Sequence, residues 1–259
     1  QAMLAQVAGS AQLIVGTHAL IQEGVDYSRL GLVIVDEQHR FGVDQRLALR
    51  QKGEKLGLSP HQLVMTATPI PRTLAMSAYG DLDTSVIDEL PPNRTPVTTV
   101  ALPNARRAEV IERVRANCLT GKQAYWVCTL IEESEQLEAQ AAEAIYEELQ
   151  KELPELKLGL VHGKLKAHDK QAIMKAFKLV ELDLLVATTV IEVGVDVPNS
   201  SLMIIENAER LGLAQLHQLR GRVGRGSTVS YCVLMYQAPL SHMGQERLAI
   251  MRATTDGFV

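Results

Sequence analysis

The sequence holds only three cysteines, Cys118, Cys128 and Cys232, and no two of them form a CxxC pair. That excludes a disulfide scaffold, a zinc finger and a thioredoxin-like redox site, and the usage suits a reducing cytoplasm. No apolar run approaches the roughly 18 residues of a membrane-spanning helix. The start, Gln1-Ala2-Met3-Leu4, has no basic region of a secretion signal and no Met at position 1, so the expectation is an internal piece of a longer chain. Neither sign of charge dominates. The net charge is −4 and the pI is near 6.0, which is not the profile of a simple basic nucleic-acid binder. Only a local patch can meet a phosphate backbone. Low-complexity tracts, short repeats and the Gly-x-Ser-x-Gly elbow of an α/β hydrolase are all absent.

What is present is an ordinary globular composition, 46% hydrophobic and 22% charged over 259 residues. At about 100–200 residues per domain, two domains are expected. Short Val- and Ile-rich runs alternate with longer helical patterns. Ala11–Val15, Leu30–Val35 and Gln62–Met65 read as buried strands, and a polar helical stretch runs from Gly42 to Lys52. Three prolines within residues 91–96 mark a linker. Beyond it the same rhythm restarts. Strands are expected at Val97–Ala101, Ala124–Thr129, Lys157–Val161, Leu182–Ala187, Leu202–Glu206 and Val229–Met235. Helices are expected at Ala105–Leu119, Glu132–Leu153, Ala167–Phe177, Leu213–Val223 and Ser241–Thr254. The alternation implies βαβ units and an α/β fold with parallel sheets, whose strands are apolar on both faces because helices cover both. Charge is polarised in the second half. Residues 132–155 carry nine Glu against one Lys, whereas residues 164–178 carry five Lys against one Asp. Both read as solvated faces, and the lysine run is also a candidate phosphate track.

Four segments carry chemistry. In the first, Leu32–Val35 runs into Asp36, Glu37, Gln38 and His39. Side chains at the carboxyl end of a parallel strand project into a ligand crevice. Asp36 there can hold Mg²⁺ and Glu37 can orient or deprotonate a water beside a γ-phosphate, while an Asp helix cap with a first-turn Glu fits the same residues. The second, Thr66-Ala67-Thr68-Pro69-Ile70-Pro71-Arg72, is a rigid hydroxyl-rich turn or a plain strand-to-helix turn capped by Thr68. In the third, Gln218 to Gly226 weaves Arg220, Arg222 and Arg225 among glycines. Arginine forks suit phosphate oxygens, and glycine admits a close ligand. The fourth runs from Thr188 and Thr189 through Gly194 to Asp196. Its hydroxyls and amides can hold a nucleic-acid phosphate, and Asp196 a ribose hydroxyl or an arginine; an unliganded loop fits as well. No segment is a P-loop. Gly159 to Leu165 comes nearest, but its glycines stand one residue too close and Leu165 replaces the hydroxyl that a P-loop uses for Mg²⁺.

Taken in order, these segments resemble the motif series of superfamily-two helicases. The series is Gly16-Thr17-His18, Asp36 to His39, Thr66-Ala67-Thr68, His162-Gly163, Thr188 to Asp196, and Gln218 to Arg225. Within the superfamily, Asp36 to Val43, Thr68 to Leu74 and Leu211 to Arg225 look like the RecG family of bacterial DNA helicases. The translocase module of transcription-repair coupling factor is the nearest alternative, but it usually has Asp-Glu-Glu-His where this chain has Gln38.

The resemblance implies two RecA-like lobes, the first truncated at its N-terminus. It places the C-terminal part of lobe one at residues 1–90, a linker at 91–96, lobe two at 97–240, and the start of a translocation motif at 241–259. It implies ATP and Mg²⁺ as cofactors, with Asp36 as the metal carboxylate. Asp36, Glu37, Gln218, Arg222 and Arg225 become the catalytic set, and Asp36, His39, Gly194, Asp196, Arg222 and Arg225 the nucleotide contacts. Thr17, His18, His162, Gly163 and Thr189 face nucleic acid, and Thr66 and Thr68 couple hydrolysis to lobe movement. It further implies a cytoplasmic protein, monomeric at full length, that acts on branched or double-stranded DNA such as stalled forks and Holliday junctions. With no P-loop of its own, this chain alone is expected not to turn over ATP. The competing reading is a degenerate helicase fold that only binds DNA.

Overall fold

The computed structural model describes residue 9 and residues 11–22, 24–36, 59–66, 83–87, 89, 95–129, 135–188, 197–226 and 229–254. The chain divides into two compact units, Gln1–Ile70 and Pro71–Val259. Residues 91–94 of the expected linker, and the helical stretch expected from Gly42 to Lys52, lie outside the described residues.

In the first unit, β1 (Leu32–Val35) and β2 (His61–Val64) pair in parallel, Leu32 opposite His61 and Val35 opposite Val64. The ladder is extended at both ends, where His61 N–H donates to the Gly31 carbonyl at 2.9 Å and Met65 N–H to that of Val35 at 2.8 Å. A short 3₁₀ turn, His18–Ile21, precedes them, with the Tyr27 hydroxyl donating to the Leu20 carbonyl. Ala11–Val15 is not a strand, and Leu13 and Val15 are more than four-fifths exposed. An apolar run becomes a strand only where another edge satisfies its backbone groups, and among the described residues none pairs with it. β1 and β2 are also less buried than expected, with alternate residues open to solvent.

The second unit is built on six parallel strands. These are β3 (Val97–Pro103), β4 (Gln123–Cys128), β5 (Leu158–Val161), β6 (Leu184–Thr188), β7 (Ser200–Ile205) and β8 (Ser230–Tyr236). Their spatial order is β3-β8-β7-β4-β6-β5. The helices are α1 (Arg107–Leu119), α2 (Glu135–Glu152), α3 (Ala167–Lys178), α4 (Leu213–Arg220) and α5 (His242–Ala253). Strand side chains alternate between two apolar clusters. Trp126, Val186, Ile204 and Met235 pack with Val114 of α1 and Leu149 of α2. Tyr125, Leu185, Ile205 and Leu234 pack with Phe177 of α3, Leu216 of α4 and Leu248 and Met251 of α5. Helices therefore cover both faces, which is why β4, β6 and β7 are buried along their whole length.

Most expected boundaries lie within one or two residues of those observed, and two departures have physical causes. β4 begins at Gln123 because that carboxamide, fully buried, donates to the Phe177 and Leu182 carbonyls at 2.6 and 2.7 Å. α4 stops at Arg220 rather than Val223 because the chain turns at Gly221 and enters the left-handed region at Gly224, φ +75°. The helix expected at Ser241–Thr254 forms at His242–Ala253. It is capped by the Ser241 hydroxyl, which accepts from Gly244 N–H at 3.1 Å.

Candidate nucleotide and nucleic-acid sites

All strands of each sheet are parallel, so each sheet has one carboxyl edge. In the first unit that edge carries Asp36 directly after β1 and Thr66 two residues after β2, both exposed. The register, with Val35 opposite Val64, makes the two strand exits neighbours. The structure thus brings the expected metal carboxylate and the first coupling threonine to one edge. Thr17 caps the 3₁₀ turn and is exposed, with no hydrogen bond from its side chain to the turn, and His18 opens that turn. Glu37, His39 and Thr68 lie outside the described residues. Among the described residues no three His, Cys, Asp or Glu side chains cluster as a metal cage. An exposed Asp36 at a strand exit suits Mg²⁺, which usually keeps several waters and takes only one or two protein carboxylates.

In the second unit the carboxyl edge gathers Thr129 after β4, His162 and Gly163 after β5, Thr188 at the end of β6 and Glu206 after β7. His162 is 7% exposed. Its Nε2 lies 3.5 Å from Glu143 of α2, and its Nδ1 has no partner among the described residues. The ladder sets Val161 beside Ala187, so His162 neighbours Thr188, whose buried hydroxyl also lacks a described partner. Lys170 of α3 donates to the Gly163 carbonyl at 2.7 Å and fixes that turn. Thr189, Gly194 and Asp196 lie outside the described residues.

The arginine weave lies at the other end of the sheet. α4 carries the chain back from the carboxyl edge, and a Cβ on Gly224 would stand 2.7 Å from Val97 Cγ2, beside the starts of β3 and β8. A Cβ on Gly226 would stand 2.8 Å from the Pro198 carbonyl oxygen. The space these two glycines leave is taken up by the chain itself, the Val97 side chain at Gly224 and the Pro198 backbone at Gly226. The three arginines also divide. Arg220 is 5% exposed and points inward, donating to the Met251 and Thr254 carbonyls at 3.0 and 2.8 Å while pairing with His217 Nδ1 at 2.8 Å. Burial lowers its pKa, which the neighbouring Cys232 offsets in part. Arg220 is therefore a brace between α4 and the end of α5, not a phosphate ligand. Arg222 and Arg225 do not share a helix face, because they stand on the turn either side of buried Val223, Arg225 exposed and holding the Gly221 carbonyl. Gln218 lies on the exposed side of α4.

The sequence reading missed one cluster. Glu206, 8% exposed, accepts from the Trp126 indole N–H at 2.7 Å and from Arg107 of α1. Arg107 lies over the Trp126 ring, 4.9 Å from its centroid, and also forks onto Glu148 of α2 at 3.1 and 3.3 Å. Burial opposes the charge on Arg107, but Glu206 and Glu148 outweigh it and raise its pKa. The signal was available: like Val35-Asp36, Ile205-Glu206 is an apolar strand that ends on a carboxylate.

Two family descriptions match the chain. "DEAD/DEAH box helicase" matches residues 1–77 and "Helicase conserved C-terminal domain" matches residues 102–227. ATP-dependent DNA helicase RecG of Escherichia coli O157:H7 is 71% identical over 252 residues, 97% of this chain. The chain belongs to the RecG helicase family. It spans 36% of that RecG's length. RecG of Haemophilus influenzae is 69% identical over the same span, and RecG of Streptococcus pneumoniae 51%. A solved RecG bound to a three-way DNA junction superposes with TM-score 0.76 at 46% identity, over 99% of this chain and 33% of that one. The helicase MrfA bound to DNA shares the fold alone, TM-score 0.71 at 16% identity. With RecG and these helicases as neighbours, the two-lobe α/β architecture is RecA-like, and in the second unit helices flank both faces of the parallel sheet.

Proposed function

We propose that this chain is part of the motor core, the later portion of lobe one and all of lobe two, of an ATP-dependent DNA helicase that remodels branched DNA. The observation that carries the reading is its 71% identity to RecG over nearly the whole chain, joined to the likeness with a RecG held on a three-way junction. In this reading residues 1–90 belong to lobe one, 91–96 link the lobes, 97–240 form lobe two, and 241–259 begin a translocation motif. Lobe one supplies Asp36, the exposed carboxylate that would hold Mg²⁺, and Glu37, which orients and deprotonates the attacking water. A Mg²⁺ held there would supply positive charge to the nucleotide's phosphates. His39, Gly194 and Asp196 contact the nucleotide. Lobe two supplies Arg222 and Arg225, whose forks neutralise phosphoryl charge as the bond to the leaving group lengthens, and Gln218 beside them. Thr66, one strand away from Asp36, and Thr68 pass the state of that carboxylate on to lobe movement. Thr17, His18, His162, Gly163 and Thr189 meet the DNA backbone, where hydroxyls, amides and imidazoles donate to phosphate oxygens.

The test is junction-stimulated ATP hydrolysis by the full-length protein that contains this chain. Glu37→Gln is expected to lower kcat by a factor of about 10² to 10⁴ with junction affinity retained, as for loss of a general base. A full-length protein that binds junctions but hydrolyses no ATP would make the DNA-binding module the better reading. Unchanged turnover in Glu37→Gln would overturn the role of Glu37. The 259-residue chain alone has no P-loop pattern and is expected to be silent in the same assay.

A further inference from the structure

Glu206 sits where three constraints meet. Its carboxylate, buried against Trp126, is held by the indole of β4 and by Arg107 of α1, which in turn is held by Glu148 of α2. Its carbonyl accepts the hydroxyl proton of Thr129, the first residue past β4. The next residue, Asn207, adopts the left-handed conformation, φ +45°, and its side-chain amide reaches the Thr129 carbonyl at 3.5 Å. The exits of β4 and β7 are thus clamped to each other and to both helices of one face. The clamp lies on the same edge as His162, Gly163 and Thr188. The pairs Val127–Ile205, Cys128–Thr188 and Val161–Ala187 make Glu206, Cys128, Thr188 and His162 one continuous row across four strands. Everything in that row faces the α1/α2 side, because each follows a strand residue of the opposite cluster by one position.

A buried carboxylate is an expensive way to join strands. Burial of a charge is unfavourable unless its partners repay it, and an apolar pair of similar volume stabilises a fold as well or better. What a carboxylate adds is direction, since one oxygen, Oε1, takes both the Trp126 indole N–H and the Arg107 guanidinium and so fixes the two donors against each other. Resting on the reading of this edge as a nucleic-acid surface, we propose that Glu206 is a positioning residue for DNA binding. With Arg107 it fixes where the chain leaves β4 at Thr129, and so sets the spacing of the strand exits that meet the DNA backbone. Glu206 itself touches no DNA in this account.

The sign of the effect separates positioning from simple electrostatics. Removing a negative charge near a DNA surface strengthens binding if charge alone matters. Positioning requires the reverse. In the full-length protein, Glu206→Gln keeps an acceptor for the Trp126 indole and loses the ion pair with Arg107. It is expected to weaken binding to a three-way junction about five- to tenfold, with the KM for ATP changed less than about twofold. The slope of affinity against salt stays at the wild-type value, because no phosphate contact is lost. Glu147→Gln, which removes an exposed carboxylate of α2, is the charge control and is expected to leave binding unchanged or slightly tighter. Should Glu206→Gln not fold, Glu206→Asp carries the test: the charge is kept, the reach shortens by one methylene, and a loss of junction affinity is again expected. Junction affinity equal to or above wild type in the variant that folds overturns the proposal. So does a parallel loss of DNA binding, ATP affinity and thermal stability, which marks a purely structural role. A wild-type protein that binds no junction overturns the reading of the edge itself, and that outcome is visible before any variant is made.

Discussion

Two apolar strands of similar composition meet opposite fates in this molecule. In β1, Leu-Val-Ile-Val, Leu32 and Ile34 are each 55% exposed, whereas in β6, Leu-Leu-Val-Ala-Thr, every residue is buried. β6 lies between β4 and β5, with helices against both faces of its sheet. Among the described residues β1 has β2 as its only strand partner and no helix stacked on it. Burial is therefore a property of the layers placed on a strand, not of the strand's own residues. The apolar run states only what it would gain if covered, about 1.5–3 kcal/mol per fully buried Leu or Ile.

The sharpest way to break this contrast is to probe thiols. Cys118, Cys128 and Cys232 are all buried in the second unit. Desolvation pushes the Cys118 and Cys232 thiols up to about 12, and that of Cys128 well up too. A thiol reagent at pH 8 is expected to label all three at least ~10³-fold more slowly than in urea, since access requires opening of a unit stable by at least about 5 kcal/mol. A cysteine placed at Ile34 is expected to label at nearly the free-thiol rate. Equal protection at position 34 would mean that β1 is covered in solution. The same thiols give the pH dependence a sign. Their folded pKa lies above the unfolded value, so their contribution is full below about pH 8.5 and fades as pH rises towards 12. Urea midpoints measured from pH 8 to 11 should fall less steeply in Cys232→Ala.

Truncation tests the contrast next. Ile204→Ala, at a fully buried site on β7, is expected to cost about 2–5 kcal/mol. Ile34→Ala, at a half-exposed site, should cost less than about 1 kcal/mol. Equilibrium urea unfolding measures both, and equal costs would dissolve the distinction between the two sheets. Gly224→Ala should fall between them, at roughly 1–3 kcal/mol. It combines a left-handed backbone with a Cβ that would meet Val97 at 2.7 Å.

These effects show which parts of the molecule were legible. The second unit's elements were readable because each is a buried apolar run or an amphipathic stretch bounded by Gly, Pro or polar residues, a local signal. Asp36 and Thr66 could be placed on one edge because strand ends follow from the same local signal. What could not be read depends on partners distant in sequence. Glu206 is explained only by Trp126 and Arg107, 80 and 99 residues away. Arg220 looks like its neighbours Arg222 and Arg225 until the end of α5 is found against it. The glycines around them looked like a ligand's signature because the sequence records that space is needed, not what fills it. Ala11–Val15 failed for the converse reason: a strand needs a second edge, and a sequence segment cannot display one.

The smallest expected effect comes from a contrast between two helix ends. α1 and α3 both finish with a left-handed residue, Gly121 at φ +80° after α1 and Val180 at φ +60° after α3. After α3, Val180 N–H donates to the Phe177 carbonyl and Glu181 N–H to that of Ala176, the paired bonds of a Schellman cap. Glycine takes this conformation without strain, whereas a β-branched residue crowds its own carbonyl, at a cost of about 1–2 kcal/mol. Val180 is 50% exposed, so its side chain recovers little by burial. Val180→Gly should therefore stabilise the second unit, although the freer unfolded chain returns about 0.5–1 kcal/mol of the gain. A net gain near 0.5–1 kcal/mol is expected, read as a higher urea midpoint with an unchanged slope. Val180→Asn, which tolerates the left-handed region while restricting the unfolded chain more than glycine does, should gain at least as much. A lower midpoint in both variants would mean that the valine side chain makes contacts worth more than the strain it bears.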